Sequence, residues 1–164
     1  MLFTILTLLA AVLLGMGQAA PSTAVQLARD DKNPNLTHII CQPQMFLEAR
    51  ADFTDNGIKY LRNKNTADPL FGPKTNGKHC TRVSCEYASG IYVCNDNDFG
   101  VRVPLDTLAD YAQAIRDDSD KRCNYRVKHY KGGKDEEDVT WGQAFDANGW
   151  NVIVGFWHSD EKCE

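Results

Sequence analysis

Six cysteines, Cys41, Cys80, Cys85, Cys94, Cys123 and Cys163, all lie downstream of an uncharged apolar N-terminal run, and that combination constrains the chain more than any other feature. An even cysteine count behind an export signal predicts a disulfide framework, here three bridges, with the pairing left open. The spacings C-x4-C (Cys80, Cys85) and C-x8-C (Cys85, Cys94) lack the C-x2-C knuckles of structural zinc sites, so no metal is expected.

Residues 1–17 carry no charged side chain, and the apolar run at 2–14 is shorter than the ~20 residues that cross a bilayer core. Gly17 and Ala19 suit a signal-peptidase cut after Ala19, so residues 1–19 are predicted to be a signal peptide and the mature protein to be secreted and extracellular, without a transmembrane segment. Removing 19 of 164 residues leaves 145, the size of one domain. The net charge of −4 disfavours binding to nucleic-acid phosphates, so no nucleic-acid partner is expected. Export also gives meaning to Asn35-Leu36-Thr37, the only N-x-S/T triplet, and Asn35 is predicted to be glycosylated.

Residues 20–35 are polar and aperiodic and read as a disordered leader to a single domain at 36–164. A β-branched run at 36–41 predicts a first strand. Phe46, Ala49, Phe53, Gly57, Tyr60 and Leu61 recur at helical spacing, with Asn56-Gly57 delaying the helix start to near Asp52. Residues 63–78, with Pro69, Gly72, Pro73 and Gly77, read as a loop. Residues 80–87 and 91–94 flank Ala88-Ser89-Gly90 as a hairpin that brings Cys85 near Cys94. A second helix is predicted from Thr107 as N-cap, with Leu105, Leu108, Tyr111, Ala112 and Ile115 as the buried stripe and a stop at Asp117-Asp118-Ser119-Asp120.

Two strands at 123–130 and 139–145 follow, around Lys131-Gly132-Gly133-Lys134, and a strongly apolar run at 150–157 predicts the central strand. Alternation there places Trp150, Val152, Val154 and Phe156 on one face, and Trp157 is expected to lie exposed. The order β-α-β-β-α-β predicts an α+β two-layer sandwich, two helices on one face of a mainly antiparallel sheet.

The blocks Cys80-Thr81-Arg82-Val83-Ser84-Cys85, Ile91-Tyr92-Val93-Cys94-Asn95-Asp96-Asn97, Gly142-Gln143-Ala144-Phe145 and Asn151-Val152-Ile153-Val154, closed by a final cysteine, resemble a group of small cysteine-rich secreted fungal proteins. That group includes effectors of the secreted-in-xylem type, and the layout is more loosely similar to the virally encoded killer toxins of smut fungi. The resemblance spans residues 41–163 and implies an effector or toxin-like virulence factor that acts on a host or competitor by binding, with no cofactor. This chain departs from the pattern by a charged hairpin at 126–139 and an extended end at 157–164.

No catalytic motif stands against that expectation. His38, His79, His129, His158, Glu86 and Arg82 are the ingredients of a ribonuclease, the alternative class along with other small hydrolases, but no two histidines share a motif. A cell-wall or surface structural protein is the third class. Asn95-Asp96-Asn97-Asp98 lacks the Gly and Glu of a calcium loop and reads as a turn. There is no G-x-S-x-G nucleophile elbow, so no catalytic residue is assigned. In the charged hairpin, Lys121, Arg122, Arg126, Lys128, Lys131 and Lys134 precede Asp135-Glu136-Glu137-Asp138. These blocks either pair with each other or serve recognition. In the second case Tyr125, Arg126, Lys128, His129, Tyr130, Lys131 and Trp157 are the predicted contact residues.

Overall fold

The computed structural model describes residues 33–64, 67–75, 79–120, 122–128 and 136–157. In chain order the elements are β1 (Leu36–Cys41), β2 (Ala49–Arg50), α1 (Ala51–Asn63), β3 (Leu70–Phe71), β4 (Cys80–Glu86), β5 (Ser89–Asn95), β6 (Val101–Arg102), α2 (Leu105–Arg116), β7 (Asn124–Lys128), β8 (Glu136–Thr140), β9 (Gly142–Asp146) and β10 (Trp150–Gly155). Five strands form an antiparallel sheet in the order β1-β9-β10-β5-β4, so β10 is central, as its composition predicts. Two helices packed on antiparallel sheets make the protein α+β.

Every residue of β5 and β10 is buried, because both faces of the sheet are covered there. One face, carrying Ile91, Val93, Ala144, Trp150, Val152 and Val154, packs on Ile58 and Leu61 of α1 and on Leu108, Ala112 and Ile115 of α2. The other face gives Tyr92, Cys94 and Ile153 to a smaller core with Phe46. Leu47 and Phe156 exchange backbone hydrogen bonds of 2.8 and 2.9 Å, which lays residues 43–48 over this second face. Trp157 is half-buried there, its ring 5.2 Å from that of Phe46, rather than lying exposed.

Other expectations are also revised. The inward face of α1 is Ala51, Thr54, Gly57, Ile58 and Leu61; Phe53 and Tyr60 fall on its flank, because the apparent stripe ran through Phe46 and Ala49, which are not helical. Gly57 does not break α1. A Cβ there would stand 2.7 Å from Ser84 Oγ, so glycine is what allows the helix to lie close on β4.

The second helix begins at Leu105 behind Pro104, whose fixed φ suits a helix start, and Thr107 sits inside it without capping. The loop at 63–78 contains β3, paired to β6, with Phe71 buried in the helix-side core. The run at 139–145 is two strands broken at Trp141, one in each of two sheets, and β8 lies in a small sheet of order β2-β8-β7.

The turn of the β4–β5 hairpin is Tyr87-Ala88, both at positive φ (40° and 60°), instead of Ala88-Ser89-Gly90. The resulting register sets Cys80 opposite Cys94, and Cys85 opposite Gly90.

Two disulfides are present among the described residues, Cys41–Cys123 and Cys80–Cys94, where three were predicted. Cys85 is not free, and Cys163 lies outside the described residues. The Cys41–Cys123 loop spans 82 residues and the Cys80–Cys94 loop 14. Restricting the unfolded chain by loops of that size contributes about 4.5 and about 3 kcal/mol in the chain-entropy view.

The predicted signal peptide, residues 1–19, and most of the predicted leader lie outside the described residues. The end of that leader is ordered: Asn33 is buried, and the Asn35 carbonyl accepts the Ala147 amide at 3.0 Å. Among the described residues, no helix is long and apolar enough to cross a membrane.

Candidate recognition site

The charged hairpin forms one wall of an open groove of about 890 Å³. The facing wall is the first turn of α1 with Asp52 and Asp55, and the floor is the C-terminal end of α2 from Arg116 to Ser119. A polar chain ties these elements together. Arg116 donates from Nε and Nη2 to both Asp55 carboxylate oxygens, at 2.8 and 3.1 Å, and from Nη1 to Asn124 Oδ1 at 3.0 Å. Asn124 Oδ1 also accepts from Thr140 Oγ1 at 2.8 Å, and Asn124 Nδ2 donates to the Ile115 carbonyl at 3.0 Å. The hydrogen bond to Asp55 holds the Arg116 guanidinium above its ordinary pKa, against the opposing effect of burial. Helices and hairpin therefore share one network in which charge-assisted bonds fix the geometry.

Toward its outer end the hairpin changes character. Arg126 Nε meets Asp138 at 2.8 Å and Arg126 Nη1 meets Glu136 at 3.7 Å, while Lys128 Nζ meets Glu136 at 3.6 Å. Among the described residues, Arg126 and Lys128 of β7 thus face Glu136 and Asp138 of β8, as the simpler of the two readings requires. All of these side chains are exposed, and such pairs contribute little to stability. Arg50 crosses the groove, pairing with Asp52 at 2.9 Å and Glu137 at 3.0 Å while its guanidinium lies 4.4 Å from the Phe53 ring centre. Among the described residues, seven carboxylates line the groove (Asp52, Asp55, Asp117, Asp118, Glu136, Glu137 and Asp138) against three arginines, which gives this lining an acidic balance.

The predicted contact residues are distributed unevenly. Arg126 and Lys128 are exposed on β7, and Arg126 lines the groove. Tyr125 also lines it but is half-buried; burial foremost, and then Glu48, raise its pKa. Trp157 belongs to the second core. His129, Tyr130 and Lys131 lie outside the described residues, as does the turn that carries them. The helix ends and the Arg50–Glu137 pair were missed as site components. The clustering of acids at residues 52–55 and 117–118 is the signal that could have marked them.

Among the described residues, Arg82 and Glu86 line one cavity beside α1, but neither described histidine joins them there. His79 precedes the seven-residue β4 and Glu86 ends it, which separates them by roughly 20 Å of extended chain. His38 lies on β1, at the opposite edge of the sheet, stacked on Phe145 with ring centres 4.5 Å apart. His79 instead pairs with Asp96 at 3.2 Å, and Glu86 accepts from Asn56 at 3.1 Å. His129 and His158 are outside the described residues.

The Asn95-Asp96-Asn97-Asp98 turn is an organising hub. Asn95 is fully buried, with Nδ2 2.9 Å from the Gly72 carbonyl and 2.7 Å from that of Phe99, while its Oδ1 accepts the Asn97 amide at 3.1 Å. Among the described residues, two groupings have metal-like composition, His79 with Cys80 and Cys94, and Asp118 with Cys41 and Cys123. Their cysteines are spent in disulfides, which leaves one donor in each. The chain matches no protein-family model, no curated protein and no solved structure.

Proposed function

We propose that this is a secreted effector or toxin-like protein that acts by binding a charged target of a host or competitor, and that the groove between α1, α2 and the β7–β8 hairpin is its recognition surface. The observation that carries this reading is the placement of the extra charged hairpin, whose described outer residues wall an acidic groove while its burial is confined to the base. The likeness of the cysteine-framed blocks to secreted fungal effectors supports the role. The two disulfides accord with an oxidising extracellular compartment. An acidic groove suits a basic segment of the target, with charge governing encounter and selectivity.

The same reading assigns the third bridge to Cys85 and Cys163, since the other four cysteines are paired and Cys85 is not free. Peptide mapping of unreduced, alkylated protein should yield a Cys85–Cys163 linked peptide and no labelled thiol.

Affinity capture from host tissue is the functional test, using oxidised folded protein beside a reduced control. A partner retained only by the folded form, and released by raised salt, is the expected result. RNA degradation by the purified protein that is lost on changing His79 or His129 would establish the ribonuclease alternative instead. Retention of secreted protein in the washed cell-wall fraction would favour a structural role.

A further inference from the structure

Another cavity, of about 310 Å³, lies on a different part of the molecule, between the residues preceding β1, the start of α2 and the β9–β10 turn. Its interior holds an unusual set of buried polar groups. Asp146 is 7% exposed; one carboxylate oxygen accepts the Tyr111 hydroxyl and the other accepts the Asn148 amide at 2.7 Å. Tyr111 is 1% exposed, and burial, with the hydrogen bond to Asp146, raises its pKa far above the ordinary range, so its hydroxyl remains a neutral donor.

Asn33 is 3% exposed and donates through Nδ2 to the Asp110 carbonyl at 3.2 Å, but its Oδ1 has no partner among the described residues. A buried amide oxygen left without a donor is destabilising, and a ligand hydroxyl would satisfy it. The rings of Tyr111 and Trp150, with centres 4.7 Å apart, supply an apolar wall.

Charge narrows the ligand class. The single carboxylate is opposed at the mouth by Arg102, so the lining is close to neutral and favours neither a free cation nor an anion. Unfilled acceptor capacity beside aromatic carbon, in a volume of this size, suits a neutral polyhydroxylated ring. The residue of the one N-x-S/T triplet, Asn35, lines the same cavity and is itself exposed.

We propose that this cavity is a seat for one pyranose residue, with Asn33 Oδ1 and Asp146 accepting its hydroxyl groups and Trp150 and Tyr111 facing its ring carbons. Two sources share that chemistry, the first sugar of a glycan on Asn35 and a free or cell-surface saccharide. The seat does not depend on the recognition role of the acidic groove; only the arm with the chain's own glycan depends on export.

The test is a titration of isotope-labelled Asn35→Gln protein, which carries no glycan, with methyl mannoside and methyl N-acetylglucosaminide, followed by amide and indole shifts. Putrescine serves as a cationic control. Saturable millimolar binding is expected, with shifts at Tyr111, Asn148 and the Trp150 indole, weakened at least severalfold by Asn33→Ala at unchanged melting temperature. The same titration of the glycosylated wild-type protein separates the sources. Blocked binding places the chain's own glycan in the seat, and undiminished binding assigns the seat to an external sugar. No saturable shift with either sugar, stronger binding of putrescine, or an affinity indifferent to Asn33→Ala in a protein that remains folded would overturn the proposal.

Discussion

The β5–β10 and β7–β8 ladders are antiparallel and nearly equal in length, with six and five residue pairs, yet they are held together by opposite means. In the first, every residue is buried and apolar side chains enter a core on each face. In the second, burial is confined to the base, where Val139 and Thr140 are inaccessible and Cys123 is bridged to β1. Beyond that base the strands are joined by exposed ion pairs. Backbone pairing alone therefore does not set local stability. Desolvation sets it, and a ladder without desolvation is free to carry charges that suit a partner.

The largest separation between the ladders should appear on truncating an apolar side chain. Ile91→Ala on β5 should cost about 3 kcal/mol, from lost transfer energy and a cavity between sheet and helices. Val127→Ala on β7, a half-buried position between charged neighbours, should cost less than about 1 kcal/mol. Denaturant unfolding of the two variants checks this, and equal losses would break the contrast.

Next in size is a polar contact inside the core. Tyr111→Phe removes a hydrogen bond to a buried carboxylate and should cost about 2 kcal/mol at neutral pH. Because the pKa of Tyr111 is raised on folding, the stability it contributes is complete below its unfolded value of 10.0 and declines as pH rises above it. The difference between wild-type and Tyr111→Phe proteins should therefore shrink on alkaline titration; a gap that stays constant above that pH would show that the tyrosine proton is not held by the fold.

A smaller effect separates the base of the hairpin from its outer end. Thr140→Val leaves the shape intact but deprives Asn124 of a buried donor, at a cost of about 1 kcal/mol. Smallest of all, Arg126→Ala should leave the melting temperature unchanged, since both of its carboxylate partners are solvated. A clear loss of stability in that variant would mean that the outer pairs act as a network rather than as isolated contacts.

What the sequence makes legible follows the same division. The bounds of β1, the end of α2 at Arg116 and the central place of β10 follow from strong apolar periodicity and a clear acidic stop. The start of α2 was misplaced because Thr107 has N-cap chemistry while Pro104, three residues earlier, supplies the backbone geometry.

The break at Trp141 left no local signal, because Val139, Thr140, Ala144 and Phe145 all suit strands and only the tertiary arrangement divides them between two sheets. Trp157 was misjudged for a similar reason: the residues that cover it, Phe46 among them, come from a segment more than a hundred positions away. Of the candidate site, the hairpin wall was readable from its charge blocks. The contributions of the helix ends required the fold, since Asp55 lies 61 positions from Arg116 and meets it, and through it Asn124, only through packing.

Shortening the hairpin tests the division of roles most directly. Residues 130–138 would be replaced by a two-residue turn, which removes the acidic wall and the Arg50–Glu137 pair while keeping Val139, Thr140 and the Cys41–Cys123 bridge. Binding to the captured partner and melting temperature would be measured on the same preparation. A melting temperature close to that of the wild-type protein, with intact disulfides and at least tenfold weaker binding, is the expected result. Undiminished binding by a folded variant would contradict the recognition role of the groove, and failure to fold would contradict the peripheral character of the outer hairpin.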